Sequence, residues 1–374
     1  MSLLAVLLLI VVFLFVWYDL ARRFYGGRGT EDEIQFVTTD DGWRLALHRY
    51  RPRGANPHGE PVLLHHGLAS NYRSFDLNVD SPAAPVPSLP HWLAERGYDV
   101  YAIDLRGRGD SERAGWGTDK TWTWSVDDYI EKDDPAFVQA ILARTGFTDL
   151  HWIGHSMGGI LLLAHCAREG SPRLASGIAV GSGLAYQNTG SHYERLIPFA
   201  GVTRYKKRFP FGSMAKFFAP FAGWKKIGLD TFNYCPENTA PAAAKAIYGG
   251  VICNTSSLVV RQMASLFGAD GLTSLDGKIR YPEIAKNVTT PLLLIAGSRD
   301  HQSSIALADR TLKQLAGEQH KTLFFGKDHG HRENYGHFDL LVGLHAETEV
   351  FPHILEWLQS HPAKRAAGKT GSEA

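Results

Sequence analysis

Short apolar runs alternate with segments of helical periodicity along most of this 374-residue chain. Most of the runs are apolar throughout, which is typical of parallel strands that are buried on both faces. We therefore predict a protein of the α/β class, with a mostly parallel eight-stranded sheet, helices on both faces and a first pair of strands that forms a hairpin. The predicted strands lie near residues 34–39, 43–50, 62–65, 100–103, 150–153, 178–180, 292–296 and 322–325.

The N-terminal segment is much more apolar than the rest of the chain. Residues 2–18 carry no charge, and Trp17 and Tyr18 stand where aromatic residues often meet a membrane interface. About 20 helical residues cross the ~30 Å hydrocarbon core of a bilayer. We therefore predict a transmembrane anchor over residues 1–20, through which the protein associates with a membrane.

Positive charges follow this segment at Arg22, Arg23 and Arg28. Because positive residues accumulate on the cytoplasmic side, we expect the folded domain to be cytoplasmic. A cleaved secretory signal peptide is the alternative. The segment lacks basic residues before the apolar run and a small-residue cleavage site after it, so we favour the anchor.

Composition adds limits on compartment and partners. The formal net charge is only +1, so we expect no nucleic acid partner. Cys166, Cys235 and Cys253 form no disulfide framework and fit a reducing compartment, with Cys166 as a small buried apolar residue. Cys235 and Cys253 could pair if the domain were exported. The sequence does not indicate an oligomeric state.

A nucleophile is predicted where the apolar run at 149–153 meets the motif Gly-His-Ser-Met-Gly at 154–158. A sharp strand-to-helix turn places strained dihedrals on the central serine and leaves no room for side chains beside it. Ser156 is therefore the candidate nucleophile. An oxyanion hole needs two backbone amides close to it, and we assign them to Met157 and to Leu68, which follows the apolar strand ending in His65-His66-Gly67.

An acid and a base are predicted further along the chain. Asp300 lies three residues after the apolar strand at 291–297, and the order serine, acid, histidine is the one expected for this arrangement. His337 precedes an apolar helical pattern and is our candidate base, while His329 and His331 remain alternatives. We expect no metal site among these histidines, because no cysteine or carboxylate completes a ligand spacing.

Several segments make the chain resemble a known family, the α/β-hydrolase fold, and within it the acid lipases that include gastric and lysosomal lipases. The similar segments are residues 64–68, 88–100, 124–137 and 337–339. The resemblance implies a serine hydrolase that acts on carboxylic esters, often of lipids, without a cofactor. It also supports His337, since that family's histidine is followed two residues on by an aspartate. Met157 departs from the family's usual glutamine and matches bacterial esterases and monoglyceride lipases.

On this reading the chain divides into a core over residues 31–183 and 291–361, a cap over 184–290 between the sixth and seventh strands, and a disordered tail over 362–374. The cap resembles the family only loosely. Its aromatic and basic residues predict either a lid that rests on an anionic bilayer or a cap whose aromatics pack inside while the cations stay solvated. These residues are Arg204, Lys206, Lys207, Arg208, Phe209, Phe211, Lys216, Phe217, Phe218, Phe221, Trp224, Lys225 and Lys226.

The predicted function is acyl transfer from an ester to water. Two alternatives stay open at this point. An acyltransferase or polyester synthase of the same fold would use an alcohol in place of water, although synthases of that kind carry a cysteine where this chain has Ser156. A non-catalytic binding protein of the same fold would usually lack one member of the triad, whereas candidates for all three are present here.

Overall fold

We describe a computed structural model of the chain over residues 2–27, 29–55, 57–79, 85–115, 117–169, 173–224 and 228–366. Arg28, Lys225, Lys226 and most of the predicted tail lie outside the described residues. The main sheet has eight strands, and the short β7 and β8 form a separate pair. The strands are β1 (Glu33–Thr38), β2 (Arg44–Tyr50), β3 (Pro61–His65), β4 (Asp99–Asp104), β5 (Leu150–His155), β6 (Leu174–Val180), β7 (Arg208–Phe209), β8 (Thr255–Ser256), β9 (Leu292–Gly297) and β10 (Lys321–Phe325).

The order of strands in the main sheet is β1-β2-β4-β3-β5-β6-β9-β10. β1 pairs with β2 and β2 with β4 in antiparallel register, and the other neighbours are parallel. The prediction of a mostly parallel eight-stranded sheet that begins with a hairpin is therefore confirmed. The carboxyl ends of β3, β5, β6 and β9 meet at one edge, where loops can bring reactive groups together.

The α-helices cover both faces of the sheet. Shorter 3₁₀ and π segments extend several of them, and the loops between β6 and β9 contain α6 to α10. The helices are α1 (Leu3–Tyr25), α2 (Leu89–Ala94), α3 (Val126–Asp128), α4 (Asp134–Thr145), α5 (Met157–Glu169), α6 (Phe211–Phe218), α7 (Gly228–Asn233), α8 (Pro241–Ala246), α9 (Ser257–Met263), α10 (Tyr281–Ile284), α11 (Ile305–Gln314), α12 (Asp339–Val342), α13 (Ala346–Glu349) and α14 (Phe351–Ser360).

The core consists of two apolar layers separated by the sheet. Successive side chains of a strand point to opposite faces, so Leu63 of β3 packs in one layer while Val62 and Leu64 pack in the other. One layer includes the buried faces of α4 and α5, and the other includes those of α2 and α14. Burial on both sides explains why the strands are apolar throughout.

Helix α1 is long and apolar enough to cross a membrane, as a secretory signal sequence can also be. It begins at Leu3 and continues to Tyr25, beyond the predicted end of the anchor at residue 20. Its last turns contact the folded domain, since the Trp17 indole donates a hydrogen bond to the carbonyl oxygen of Phe217 at 3.1 Å. The helix is therefore packed against α6 in the insertion.

A buried histidine connects the sheet to the segment that follows α1. The His48 ring lies 3.0 Å from Asp104 and 3.4 Å from Glu31, and it stacks on Tyr72. Burial alone would lower the pKa of His48, but the hydrogen bonds to Asp104 and Glu31 outweigh it and raise that pKa from 6.5 to about 9. The protonated ring donates to a carboxylate on either side.

Raising the pH through about 9 should therefore destabilise the fold. A group with a higher pKa in the folded state stabilises it fully below the unfolded pKa, and that contribution is lost as the pH rises through the folded value. For His48 the loss should be on the order of 3 kcal/mol. Urea denaturation of the full chain in detergent at pH 6, 7.5 and 9 measures it.

The variant His48→Gln should be less stable at pH 6 and should lose most of this dependence on pH. His353→Gln is the matched control, because His353 lies on α14 with its side chain 43% exposed. Equal slopes of the unfolding free energy against pH in the wild type and in His48→Gln would contradict the assignment.

Candidate active site

The turn between β5 and α5 presents Ser156. Its φ of +55° lies in the left-handed region, and its amide donates to the Val180 carbonyl oxygen at 2.8 Å. A Cβ on Gly154 would lie 2.3 Å from the backbone of Gly158, and one on Gly158 would lie 2.1 Å from the carbonyl oxygen of His65. Only glycine permits these approaches, so the serine is held above the sheet edge by close backbone packing.

His337 and Asp300 form a buried hydrogen-bonded pair. The His337 Nδ1 lies 2.8 Å from Oδ2 of Asp300. The other oxygen of Asp300 accepts hydrogen bonds from the amides of Gln302 and Ser303, both at 2.8 Å. A carboxylate fixed in this way accepts the proton of Nδ1, which leaves Nε2 of His337 as the basic nitrogen. That Nε2 is buried and has no hydrogen-bond partner among the described residues.

The loop that carries His337 packs beside the serine turn. The ring of His155, the residue before Ser156, lies 4.6 Å from the His337 ring and shares a 3.0 Å hydrogen bond with the His337 carbonyl oxygen. Burial lowers the pKa of His155 well below its usual value, and the charge of His337 lowers it further. His155 is therefore a neutral packing partner rather than a second base.

The residue that follows β6 packs against the other side of the Asp300–His337 pair. A Cβ on Gly181, which follows β6, would lie 3.1 Å from both Asp300 Oδ2 and the His337 ring. Among the described residues no hydrogen bond joins the Ser156 hydroxyl to Nε2 of His337. Such bonds are often long without substrate and shorten when it binds.

The structure separates the two alternative histidines from this pair. His331 bonds through Nδ1 to the backbone of Gly326 and packs on Phe325. His329 is exposed and lies in the turn after β10, near the Phe324 ring. Of the three candidate histidines, His337 is the one that contacts Asp300.

Leu68 and Met157, whose amides we predict to form the oxyanion hole, both lie next to Ser156 in the chain or in the fold. Residues 66–69, called here the oxyanion loop, pass close to the nucleophile, since a Cβ on Gly67 would lie 2.9 Å from the Cβ of Ser156. Met157 is the first residue of α5, so its amide has no partner inside the helix. The Leu68 amide donates no backbone hydrogen bond within the described part of the chain. Both amides are therefore available to an anion beside Ser156.

Arg108 is a buried residue next to this loop that the sequence did not single out. It is 2% exposed, and its guanidinium donates to the Gly67 carbonyl oxygen at 3.3 Å. It also donates to the hydroxyls of Tyr129 and of Thr255, which belongs to β8 in the insertion. No carboxylate among the described residues forms an ion pair with it. Arg108 thus places an unneutralised positive charge behind the oxyanion loop and links that loop to the insertion between β6 and β9.

One cluster of side chains outside the candidate active site has the spacing of metal ligands. Ligand atoms of His48, Asp104 and Asp110 lie within 4.8 Å of one another, a spacing that a metal ion could bridge. The ring nitrogens of His48 and the oxygens of Asp104 already have hydrogen-bond partners, which accounts for the cluster without an ion.

Cys166, Cys235 and Cys253 are free thiols, so Cys235 and Cys253 are not paired in this structure.

Comparison with known proteins agrees with this fold. Residues 60–235 match the family model described as alpha/beta hydrolase fold, and residues 24–79 match one described as a partial alpha/beta-hydrolase lipase region. Lipase 1 of Drosophila melanogaster is 34% identical over 142 residues, which are 37% of this chain and 30% of that protein. Gastric triacylglycerol lipase of Bos taurus is 35% identical over 165 residues, 42% of this chain and 40% of that protein.

These two alignments therefore span less than half of either relative. A solved structure supports the fold over a longer range. The monoacylglycerol lipase of Paleococcus ferrophilus superposes with a TM-score of 0.57 and 18% identity, covering 85% of this chain and 99% of that chain. At this identity the superposition shows a shared fold.

The variant Gly67→Ala should slow the labelling of Ser156 by a fluorophosphonate about 100-fold, because displacement of a reacting group by ~1 Å can have an effect of that size. The added methyl would lie 2.9 Å from the Cβ and 3.4 Å from the Oγ of Ser156, so the serine or the oxyanion loop must move. Gly228→Ala is the matched control, since a Cβ there meets nothing within 4 Å. Equal labelling rates for wild type and Gly67→Ala would contradict this close approach.

Proposed function

Because the chain belongs to the α/β-hydrolase fold family, we propose that it is a serine hydrolase that cleaves carboxylic esters. One observation carries the proposal. Asp300 holds Nδ1 of His337 at 2.8 Å, so that the unpartnered Nε2 is the basic nitrogen in a loop packed beside the Ser156 turn. A strained serine, an oriented imidazole and available amides together suit acyl transfer.

The first half of the reaction forms an acyl-enzyme. His337 Nε2 accepts the proton of the Ser156 hydroxyl as its oxygen attacks the ester carbonyl carbon. The amides of Leu68 and Met157 donate to the oxygen that becomes negative, and such a donor typically contributes about 3 kcal/mol to lowering the barrier. Asp300 stabilises the imidazolium. The carbon–oxygen bond to the alcohol then breaks, and His337 returns the proton to the leaving alkoxide.

The second half uses water. His337 Nε2 accepts a proton from the water molecule as its oxygen attacks the acyl carbon, and the same amides hold the second oxyanion. The bond to Ser156 then breaks, and the serine recovers its proton from His337. The products are a carboxylic acid and an alcohol, and the chain is restored. No step in this sequence requires a cofactor.

The substrates we propose are esters of lipids or other acyl esters. The similarity to lipases over residues 24–79 and to gastric triacylglycerol lipase supports this class. The insertion between β6 and β9 supports it as well, because Met214 and Trp224 expose apolar surface there. Exposed apolar groups of this kind can meet acyl chains or a lipid surface.

We also propose that α1 anchors the enzyme in a membrane, with the catalytic domain on the cytoplasmic side. Helix α1 is a candidate span of mean hydropathy 2.2. Its N-terminal part carries no charge, while Arg22 and Arg23 follow the apolar run, which favours this orientation. Free Cys235 and Cys253 are compatible with a reducing compartment.

The variant Ser156→Ala should abolish labelling by a fluorophosphonate and reduce ester hydrolysis by about 10⁴-fold or more, because the acyl-enzyme can no longer form. His337→Ala should reduce both strongly, whereas His331→Ala should leave both close to wild type. The measurement uses detergent-solubilised full-length protein and p-nitrophenyl esters of increasing chain length, with circular dichroism to check folding. Undiminished turnover by folded Ser156→Ala would exclude the mechanism, and an alcohol-dependent ester product would favour an acyltransferase.

The anchored orientation predicts a protease-protection pattern in membrane vesicles. The catalytic domain should be digested in inside-out vesicles and protected in right-side-out vesicles, and alkaline carbonate should not extract the full chain. A variant that lacks residues 2–20 is the control and should be released. Digestion in right-side-out vesicles would reverse the proposed topology, while extraction of the full chain by carbonate would exclude the anchor.

A further inference from the structure

A polar cavity of about 520 Å³ lies where α1 meets the folded domain. Its wall is built from three parts of the chain that are distant in sequence. Arg23 and Gly26 come from the end of α1, Arg73 and Arg113 from loops of the core, and Lys216 from α6 in the insertion. The serine, histidine and aspartate of the candidate active site do not line it. The cavity is therefore a separate feature of the molecule.

The net charge of this wall is positive. Arg73, Arg113 and Lys216 contribute cations, and so does Arg23, which forms an ion pair with Asp19 at 2.6 Å. Asp110 is the acidic residue of the lining. Arg73 is held by bonds to the Gly26 carbonyl oxygen and to the Tyr72 hydroxyl. Arg113 is exposed and forms no ion pair among the described residues. Such a convergence of cations on one cavity is suited to a phosphate group.

The position of the cavity along α1 corresponds to the headgroup region of a bilayer. At 1.5 Å per residue, about 20 residues of α1 cross the ~30 Å hydrocarbon core. Helix α1 begins at Leu3, so Arg23 lies about 30 Å along the helix, at the far boundary of this core, and Trp17 lies about 9 Å before it. Lys216 lines the same cavity as Arg23, and its neighbour Phe217 contacts Trp17.

An apolar surface continues from α1 onto the insertion beside this cavity. The Trp17 ring packs on Phe217 and Phe221, at centroid distances of 6.4 and 5.8 Å. Phe217 and Phe221 remain 36% and 41% exposed, and Trp224 is 71% exposed. Aromatic side chains next to a membrane helix and adjacent to cations match the two parts of a phospholipid, its acyl chains and its charged headgroup.

We propose that this cavity binds the phosphate-bearing headgroup of an anionic phospholipid, whose acyl chains lie against α1 and the exposed aromatic residues of α6 and the turn that follows it. The proposal rests on the membrane anchoring proposed above, and it adds a lipid site that is distinct from the catalytic one. A zwitterionic headgroup would bind less tightly, since its own cation would be repelled by Arg23, Arg73 and Arg113.

The same cavity wall continues to the oxyanion loop. Asn71 lines the cavity and donates to the Gly250 carbonyl oxygen at 2.8 Å. Cys253, another lining residue, donates through its amide to the carbonyl oxygen of Ala69 at 2.6 Å. A lipid bound here would therefore contact segments that are hydrogen-bonded to the loop next to Ser156.

The test is native mass spectrometry of the full chain in detergent micelles that contain equal amounts of phosphatidylglycerol and phosphatidylcholine. The wild type should retain phosphatidylglycerol in excess. Arg113→Gln should lower the ratio of retained phosphatidylglycerol to phosphatidylcholine about fivefold, the effect expected for one surface cation near an anionic lipid, and Arg23→Gln/Arg113→Gln should lower it further. Arg261→Gln, an exposed arginine of α9 that does not line the cavity, should match the wild type.

Equal retention of the two lipids by the wild type would overturn the proposal. So would the same loss in Arg113→Gln and Arg261→Gln, because the effect would then come from net charge and not from the cavity. Displacement of the lipid by inorganic phosphate at equimolar concentration would assign the site to free phosphate and overturn the lipid assignment. Hydrolysis of p-nitrophenyl acetate is measured on the same preparations, so that failure of the ester-hydrolase proposal is recorded separately from failure of lipid binding.

Discussion

The arrangement of the site depends on the approach of backbone to backbone where the β5–α5 turn crosses the end of β3. Gly158 lies so close to the carbonyl oxygen of His65 that no Cβ fits between them, and a Cβ on Gly67 would lie only 2.9 Å from the Cβ of Ser156. These contacts bring the oxyanion loop and the nucleophile together without any side chain in between. The catalytic geometry is thus a property of main-chain packing, and the apolar layers on both sides of the sheet hold that packing in place.

A second set of contacts holds the histidine loop. Asp339 is buried and accepts hydrogen bonds from the amides of Gly336 and Cys235 and from the side chain of Asn238. It therefore fixes the residue before His337 and joins that loop to the insertion. Arg108 makes a comparable connection on the opposite side, between the oxyanion loop and Thr255. The insertion between β6 and β9 is in this way hydrogen-bonded to both loops that flank Ser156.

The sequence predicted those parts of the molecule that local rules determine. Short segments of sequence are enough to indicate the apolar strands, the turn at Ser156 and the positions of the acid and the histidine after it. The pairing of Asp300 with His337 follows because parallel strands end at one edge of the sheet. It did not predict Arg108, because an arginine between two glycines has the pattern of a solvated turn. Nor did it predict the packing of α1 on α6, since that contact joins residues 200 positions apart.

The end of α1 also meets the segment Ile247–Val251 at very short range. A Cβ on Gly249 would lie 2.4 Å from the Cβ of Tyr25, and one on Gly250 would lie 2.4 Å from the carbonyl oxygen of Gly26. With α1 as the membrane anchor proposed above, a domain fastened this closely could not rotate freely about it, and the candidate active site would keep a fixed height above the bilayer. An enzyme anchored in this way would search for substrate in two dimensions. Its rate would then follow the mole fraction of ester in the lipid surface and be indifferent to dilution of the surrounding water.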